Sequence, residues 1–336
     1  MPKRVQMVGV AGALPATVRT SAEVEQIVSQ SSSGFSPRKG SIHTLTGIRE
    51  RRVAADNVQC SDLAVDACQQ VLAAANVDPK DVDLLIYASA GQDLIEPATA
   101  HIIQSKLGTN CPVFDVKNAC NSFLNGLQLA ESLILSGACN QVLVAVGEVS
   151  SRGIHWGPSD LEEFKRNLPG YTMGDAGAAA LFAPADDGRG IFYRDFCSCS
   201  SHWELTTVLG GGSMNPHGDE HLYIRANSSR LQEVFRDEGL PFMQRTMREA
   251  GVTYTDFQRI FVHQVSLPYL HDMLAECGIP VELVEETVVD LGNLAAASIP
   301  VAMANALERG AIGCGDRVMC IGLASGISIG VVLIEL

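Results

Sequence analysis

Two eight-residue stretches decide the fold: VFDVKNAC at residues 113–120 and VVDLGNLA at residues 288–295. They share Val, Asp and Asn, and each matching pair is separated by 175 residues. The same offset, within one residue, relates residues 75–77 to 250–252, 84–87 to 259–262 and 142–147 to 318–323. A constant offset across four separate segments indicates two copies of one supersecondary unit rather than a solenoid of many repeats.

Each copy contains a helix, a buried strand, a second helix and another buried strand. The first helix of the N-terminal copy has apolar residues at helical spacing: Leu63, Ala67, Val71 and Ala74. Strands that alternate with helices predict parallel sheets covered on both faces. We therefore expect an α/β fold with five layers (αβαβα), formed by halves 1–175 and 176–336. Residues 150–225, rich in Gly, Pro, Ser and His, are expected to join the halves and to wall a substrate site.

Composition excludes several classes of protein. The chain of 336 residues has 24 basic and 38 acidic residues, a net charge of −14. Nucleic acid and anionic membrane surfaces are therefore poor partners. Hydrophobic content of 46% supports a large core, while no apolar run reaches the roughly 18 residues of a membrane span. Ten cysteines without a repeated C-x-x-C spacing favour a reducing, cytoplasmic compartment, and we expect no metal site, even at Cys197, Cys199 and His202.

Cys120 is the first candidate catalytic residue. It follows a strand predicted at residues 112–116 and precedes a helix whose apolar stripe is Phe123, Leu127, Ala130 and Ile134. The positive end of the helix dipole, together with Lys117, is expected to lower the pKa of the thiol and favour the nucleophilic thiolate. The alternative is an inert buried cysteine.

His263 and Asn293 are the second and third candidates. His263 lies where a buried strand ends, which is where α/β folds place active groups. Asn293 precedes a helix that the repeat makes equivalent to the Cys120 helix. Taken alone, these residues are a core histidine and a helix cap. The duplication brings the two helix starts together, so we expect a nucleophile, a base and a hydrogen-bond donor at one site.

Two glycine-rich segments surround these candidates. Residues 323–330, LASGISIG, are expected to provide backbone N–H groups at Ser325 and Gly326 that form an oxyanion hole together with the N–H of Cys120. Residues 174–182, GDAGAAALF, predict close sheet packing. No strand is followed by G-x-G-x-x-G and no Walker loop occurs, so we expect no nucleotide cofactor.

In this order, five motifs resemble the thiolase-fold condensing enzymes of the β-ketoacyl-acyl-carrier-protein synthase III type. They are TGIRERR (46–52), FDVKNAC (114–120), GDAGAAALF (174–182), HQVS (263–266) and GNLAAASIP (292–300). The resemblance implies a homodimeric acyltransferase without a cofactor, acting on acyl-CoA or acyl-carrier-protein thioesters. It implies an acyl intermediate on Cys120, enolate stabilisation by His263 and Asn293, and substrate binding by Arg49.

Three positions depart from that family pattern. Ser41 and Leu45 stand where the family has a Trp and an Arg that grip coenzyme A, and Pro268 stands where an Arg meets the carrier protein. LIEPATA (94–100) is similar instead to the olefin-biosynthesis branch, which joins two acyl-CoA molecules. In that branch the glutamate matching Glu96 reaches across the dimer and acts as base. The alternative for Glu96 is a solvent-facing loop residue.

Four functions remain open from the sequence. The leading hypothesis is Claisen condensation of acyl thioesters through acyl-Cys120. If it joins two acyl-CoA molecules without decarboxylation, a base such as Glu96 is needed, because an unactivated α-carbon must lose a proton. The alternatives are a malonyl-dependent, decarboxylative synthase, an acyltransferase to an oxygen or nitrogen nucleophile, and a non-catalytic subunit of a heterodimeric synthase.

Overall fold

A computed structural model describes residues 3–186 and 188–336. Its strands are β1 (Val5–Ala13), β2 (Thr17–Thr20), β3 (Glu50–Val53), β4 (Leu84–Ala88), β5 (Val113–Val116), β6 (Val142–Glu148), β7 (Ala176–Pro184), β8 (Gly190–Ser198), β9 (Thr206–Val208), β10 (Ile224–Ala226), β11 (Arg259–Val262), β12 (Arg317–Ala324) and β13 (Ser328–Glu335). Its α-helices are α1 (Ser21–Ser31), α2 (Ser41–Thr46), α3 (Cys60–Ala75), α4 (Thr99–Leu107), α5 (Ser122–Leu135), α6 (Leu161–Tyr171), α7 (Ser228–Val234), α8 (Leu240–Ala250), α9 (Leu267–Cys277), α10 (Val288–Leu291) and α11 (Ser298–Glu308).

Two sheets form the centre of the molecule. The first has the strand order β1-β7-β6-β4-β5 and the second the order β11-β12-β13-β8. The inner pairs β4–β5, β4–β6 and β11–β12 are parallel, whereas β7 and β13 run antiparallel to their neighbours. Four strands therefore correspond between the halves, in the same order and with the same directions.

The helices complete the expected five layers. Helices α3 and α4 cover the outer face of the first sheet, and α8 and α9 cover the outer face of the second. Helices α5 and α11 lie between the sheets, where the predicted stripe of α5 is buried. Burial of these mostly aliphatic faces is the main favourable contribution to folding.

Backbone conformation confirms the duplication. Asn76 after α3 and Gly251 after α8 are both left-handed, with φ of 54° and 67°. Ala119 and Ala295 both have φ of 48°, an uncommon value for a residue with a Cβ. These alanines are 176 residues apart, as are the first residues of α5 and α11. From Ala119 onward the structural offset is therefore 176, and Cys120 corresponds to Ala296.

Three expectations about local structure were wrong. The buried strand expected at residue 288 is the one-turn helix α10, and parallel pairing at this edge is reduced to a bridge between Ile260 and Val284. The boundary between the halves is not at 175/176, because β7 pairs with β1 in the first sheet. Residues 150–225 are not one irregular excursion, because they contain α6, β7 and β8, and the chain passes from the first sheet to the second between β7 and β8.

The GDAGAAALF segment packs closely, as expected. A Cβ on Gly177 would stand 2.0 Å from the backbone oxygen of Leu63, so β7 and α3 touch only because the side chain is absent. Across the described ranges 3–186 and 188–336, no helix has the length and apolarity needed to cross a bilayer.

Candidate active site

Cys120 lies on a tight loop between β5 and α5. Two asparagines tie this loop to the second half: Asn118 and Asn121 each donate from Nδ2 to the hydroxyl of Ser328, at 3.1 and 3.0 Å. A Cβ on Gly322 would overlap the side-chain oxygen Oδ1 of Asn121, so β12 has a glycine where this loop contacts it. The nucleophile candidate is thus fixed against β12 and β13 rather than only at the end of its own helix.

The pKa of Cys120 is raised, whereas the sequence predicted that it would be lowered. Burial, and to a lesser extent the charge of Glu148, raise the pKa of this thiol to about 12. Lys117 is exposed and donates to Gln92 instead. Desolvation disfavours the charged thiolate more than the helix terminus favours it. The resting site therefore contains a thiol, and a base has to receive its proton when it attacks.

His263 follows β11 directly, as expected, and is buried. Its backbone N–H donates to Ile321 of β12, and its Nδ1 lies 3.2 Å from the hydroxyl of Ser298 at the start of α11. Burial lowers the pKa of the imidazole to about 4, against the effect of a hydrogen bond with the Ala295 backbone. The ring is therefore neutral at pH 7 and can accept a proton.

Asn293 is held by its backbone between two residues of the first half. Its N–H donates to Thr172 at 2.8 Å, and its carbonyl accepts from the N–H of Gly174 at 3.0 Å. Its Oδ1 accepts from the N–H of Ala295, so the group that the side chain offers to a substrate oxygen is the Nδ2 amide. Asn293 thus has the fixed donor geometry that the sequence interpretation requires.

The turn at residues 295–297, which follows Asn293, connects the three candidates. Ala295 contacts both the Asn293 side chain and the His263 ring. The N–H of Ala296 stabilises the carboxylate of Glu148, whose charge acts on Cys120. His263 and Asn293 therefore contact this turn directly, and Cys120, from the other half, is connected to it through Glu148.

Sequence reasoning gave no role to Gln264, which holds the Asn293 segment. This buried side chain accepts from the N–H groups of Thr287 and Val288 and donates to the carbonyl of Glu285 at 2.6 Å. It thereby satisfies the start of α10. The available signal was its position beside His263 in HQVS: a glutamine next to a buried strand has to find hydrogen-bond partners.

The other predicted residues lie around this centre. Ser325 and Gly326 are partly buried in the turn between β12 and β13, next to Ser328. Arg49 is exposed and forms an ion pair with Asp290 of α10 at 2.5 Å, so it braces the Asn293 segment. Leu45 is exposed on α2.

Glu96 is not brought to Cys120 within one chain. It is exposed, in a loop that we define as the Glu96 loop, residues 89–98. The loop is closed by the bond from Asp93 N–H to the Thr99 hydroxyl, and Thr99 and Ala100 donate to the Asp115 carboxylate.

The duplicated sheets, with Cys, His and Asn around one turn, define a condensing enzyme of the thiolase fold. Residues 114–198 and 247–336 match the descriptions 3-oxoacyl-[acyl-carrier-protein (ACP)] synthase III and its C-terminal part. The chain belongs to this family of acyltransferases.

Individual relatives agree with that assignment. The β-ketoacyl-[acyl-carrier-protein] synthase III of Dinoroseobacter shibae is 34% identical over all of both chains, and that of Symbiobacterium thermophilum 31% over 96% of each. Among solved structures, the Aquifex aeolicus synthase III is 27% identical with a TM-score of 0.85, covering 99% of this chain and all of that one. Xanthomonas campestris OleA with bound lauric acid and lauroyl-CoA is 25% identical, with a TM-score of 0.86 and full coverage of both chains.

Proposed function

We propose that this enzyme joins two acyl-CoA thioesters by Claisen condensation without decarboxylation, with Glu96 as base. The observation that carries the proposal is the Glu96 loop. Both of its ends are anchored, yet its tip exposes the apolar side chains of Leu94 and Ile95, at 52% and 72%. An ordered loop that presents apolar residues beside a carboxylate suits insertion into a second subunit.

In the first step, Cys120 takes the acyl group from one thioester. Its thiol is protonated at neutral pH, and the neutral His263 accepts that proton as sulfur attacks the carbonyl carbon. The bond between the carbonyl carbon and the CoA sulfur breaks, and the CoA thiolate leaves with the proton from His263. Acyl-Cys120 and free CoA result.

In the second step, Glu96 removes an α-proton from a second acyl-CoA. His263 and Asn293 donate hydrogen bonds to the thioester oxygen that gains the enolate charge. The enolate carbon attacks the carbonyl carbon of acyl-Cys120, the bond between that carbon and the Cys120 sulfur breaks, and a β-ketoacyl-CoA leaves. The proton that Glu96 removed returns to the Cys120 thiolate, which restores the resting thiol and the Glu96 carboxylate. A malonyl donor would generate its enolate by losing CO₂, so a carboxylate base is required only for this unactivated donor.

A homodimer would bring Glu96 of one subunit close to Cys120 of the other. Strand β5 is the edge of the first sheet and exposes Phe114 at 37%, and the Glu96 loop follows the adjacent strand β4. An unpaired edge strand with an exposed aromatic is a surface on which a second copy can dock. In such a dimer, Glu96 of one subunit would serve Cys120 of the other.

Charge favours CoA over a carrier protein as the acyl donor. The chain has a net charge of −14, and Pro268 begins α9 where the family pattern places a carrier-binding arginine. An acidic carrier protein would meet repulsion without a compensating cation at that position. The lauroyl-CoA bound to the similar OleA gives a first substrate to test.

Glu96→Gln tests the base. With lauroyl-CoA alone, we expect wild type to form a β-ketoacyl product, and the variant to lose about 10²–10⁴-fold in its formation. Glu96→Gln should still be acylated at Cys120, as measured by intact-protein mass spectrometry. Glu282→Gln, at another exposed glutamate, is the matched control, and Cys120→Ala should abolish labelling.

Undiminished turnover of Glu96→Gln would refute the assignment. A product that forms only with malonyl-CoA would support the decarboxylative synthase, and an ester or amide product would support acyl transfer to oxygen or nitrogen. Absence of Cys120 labelling without a second chain would support the non-catalytic subunit.

A further inference from the structure

Glu148 is a buried carboxylate that the reaction described above does not use. It ends β6, whose other residues are all small or apolar, and it is fully buried. Oε1 accepts from the hydroxyl of Ser89 at 2.7 Å and from the N–H of Ala90 at 2.8 Å, and Oε2 accepts from the N–H of Gly91 at 3.0 Å. Burying a carboxylate that is bound only by neutral hydrogen-bond donors costs free energy, so we expect Glu148 to have a function.

The partners of Glu148 belong to the segments that carry site residues. Ser89, Ala90 and Gly91 begin the Glu96 loop. The N–H of Ala296, which also stabilises the carboxylate, follows Asn293 in the opposite half. One side chain therefore connects the loop of the proposed base to the turn of the enolate-stabilising amide.

Gly91 shows how tight this connection is. A Cβ at this position would stand 3.1 Å from Oε2 of Glu148 and 3.0 Å from the thiol of Cys60. The loop backbone thus approaches the carboxylate as closely as a residue without a side chain allows. Displacement of the carboxylate would displace the start of the loop.

We propose that Glu148 is a positioning residue that fixes the Glu96 loop against the Asn293 turn. The role of Glu96 in it rests on the proposed function. A separate electrostatic consequence does not: the charge of Glu148 should slow the reaction of resting Cys120 with electrophiles. A thiol that ionises only when a substrate is bound is protected from side reactions with electrophiles.

The titratable groups around Glu148 come from every packed element. They are Cys60 of α3, Tyr87 of β4, Asp93 of the Glu96 loop and Cys120. Burial raises the pKa of Cys60 and of Tyr87, so these two are neutral at pH 7. Burial also raises the pKa of Glu148, while its hydrogen bonds with Ser89, Ala90, Gly91 and Ala296 favour the charged carboxylate, and it is this charge that acts on Cys120.

The test is the alkylation rate of Cys120 by iodoacetamide, measured without substrate and assigned by peptide mapping. Glu148→Gln keeps the shape and removes the charge. The alkylation rate follows the fraction of Cys120 that is thiolate. We therefore expect the rate in Glu148→Gln to be about tenfold higher than in the wild type at pH 8, which corresponds to a decrease of about one in the pKa of Cys120. Glu131→Gln, at a buried carboxylate farther along α5, should leave the rate unchanged. An unchanged rate in Glu148→Gln would overturn the electrostatic part.

The positioning part is tested by two variants that retain the charge. Glu148→Asp shortens the side chain, and Ser89→Ala removes one donor. We expect both to lower kcat for condensation about tenfold or more, with the Cys120 alkylation rate within twofold of wild type. If both variants kept the wild-type kcat, the positioning role of Glu148 would be refuted. Because these two variants are measured separately, their kcat values still test that role if Glu148→Gln does not fold. If condensation proves to be malonyl-dependent, the alkylation result still stands alone.

Discussion

The two halves of the molecule share a scaffold and differ at one turn. In the first half, the strand β5 leads to Ala119 and Cys120. In the second half, the equivalent strand is lost and α10 leads to Asn293, while Ala296 occupies the position equivalent to Cys120. The sheets and helices kept their order because their buried faces constrain each other. The strand-to-helix turn was free to diverge, so in the proposed reaction one copy supplies the nucleophile and the other supplies the groups that act on the second substrate.

The largest expected effect comes from breaking this division of roles. Asn293→Ala removes a donor aimed at the enolate oxygen, so we expect condensation to fall by about 10²–10³-fold. Acylation of Cys120 should persist, because Asn293 is bound to Thr172 and Gly174 by its backbone. Separate measurements of Cys120 labelling and of product formation check this.

Asn118→Ala is the matched variant in the other half. Asn118 binds Ser328 and so holds the nucleophile loop, and its loss should lower acylation and condensation together. If Asn293→Ala lowered acylation as strongly as condensation, the assignment of separate roles to the two turns would be contradicted.

The second prediction concerns the pH dependence contributed by His263. Its pKa is about 4 in the folded protein, against an ordinary value of 6.5. The unfolded chain therefore binds a proton that the folded chain does not, and stability falls as the pH decreases from about 6.5 to about 4. The free energy of unfolding should lose about 3 kcal/mol over this window.

His263→Asn removes the titrating ring. Its unfolding free energy, measured in urea from pH 7 to pH 4, should decrease less steeply than that of the wild type. His217→Asn, at an exposed histidine, should follow the wild-type curve. Parallel curves for wild type and His263→Asn would contradict the lowered pKa.

Periodicity and repeat spacing were sufficient to predict the five layers. That Cys120, His263 and Asn293 act at one site stays a prediction. Periodicity and repeat spacing failed where three-dimensional packing decides. The pKa of Cys120 depends on Glu148, a residue distant in sequence that only folding brings near. The loss of a strand at residue 288 was hidden because VVDL is as apolar as VFDV, and Gln264 stabilises the helical alternative from another segment.

The smallest effect tests whether the halves are equivalent outside the site. Asn76 and Gly251 end corresponding helices in left-handed conformation, and a Cβ on Gly251 would meet nothing within 4 Å. The cost of alanine at either position is therefore a backbone cost, and we expect Asn76→Ala and Gly251→Ala each to lower the unfolding free energy by about 1 kcal/mol. The exchanges Asn76→Gly and Gly251→Asn should each change it by less than about 0.5 kcal/mol. Chemical unfolding curves of the four variants provide the measurement. A clearly larger cost in one half would show that divergence extends from the catalytic turn into the helix ends, because identical backbone geometry would then carry unequal packing.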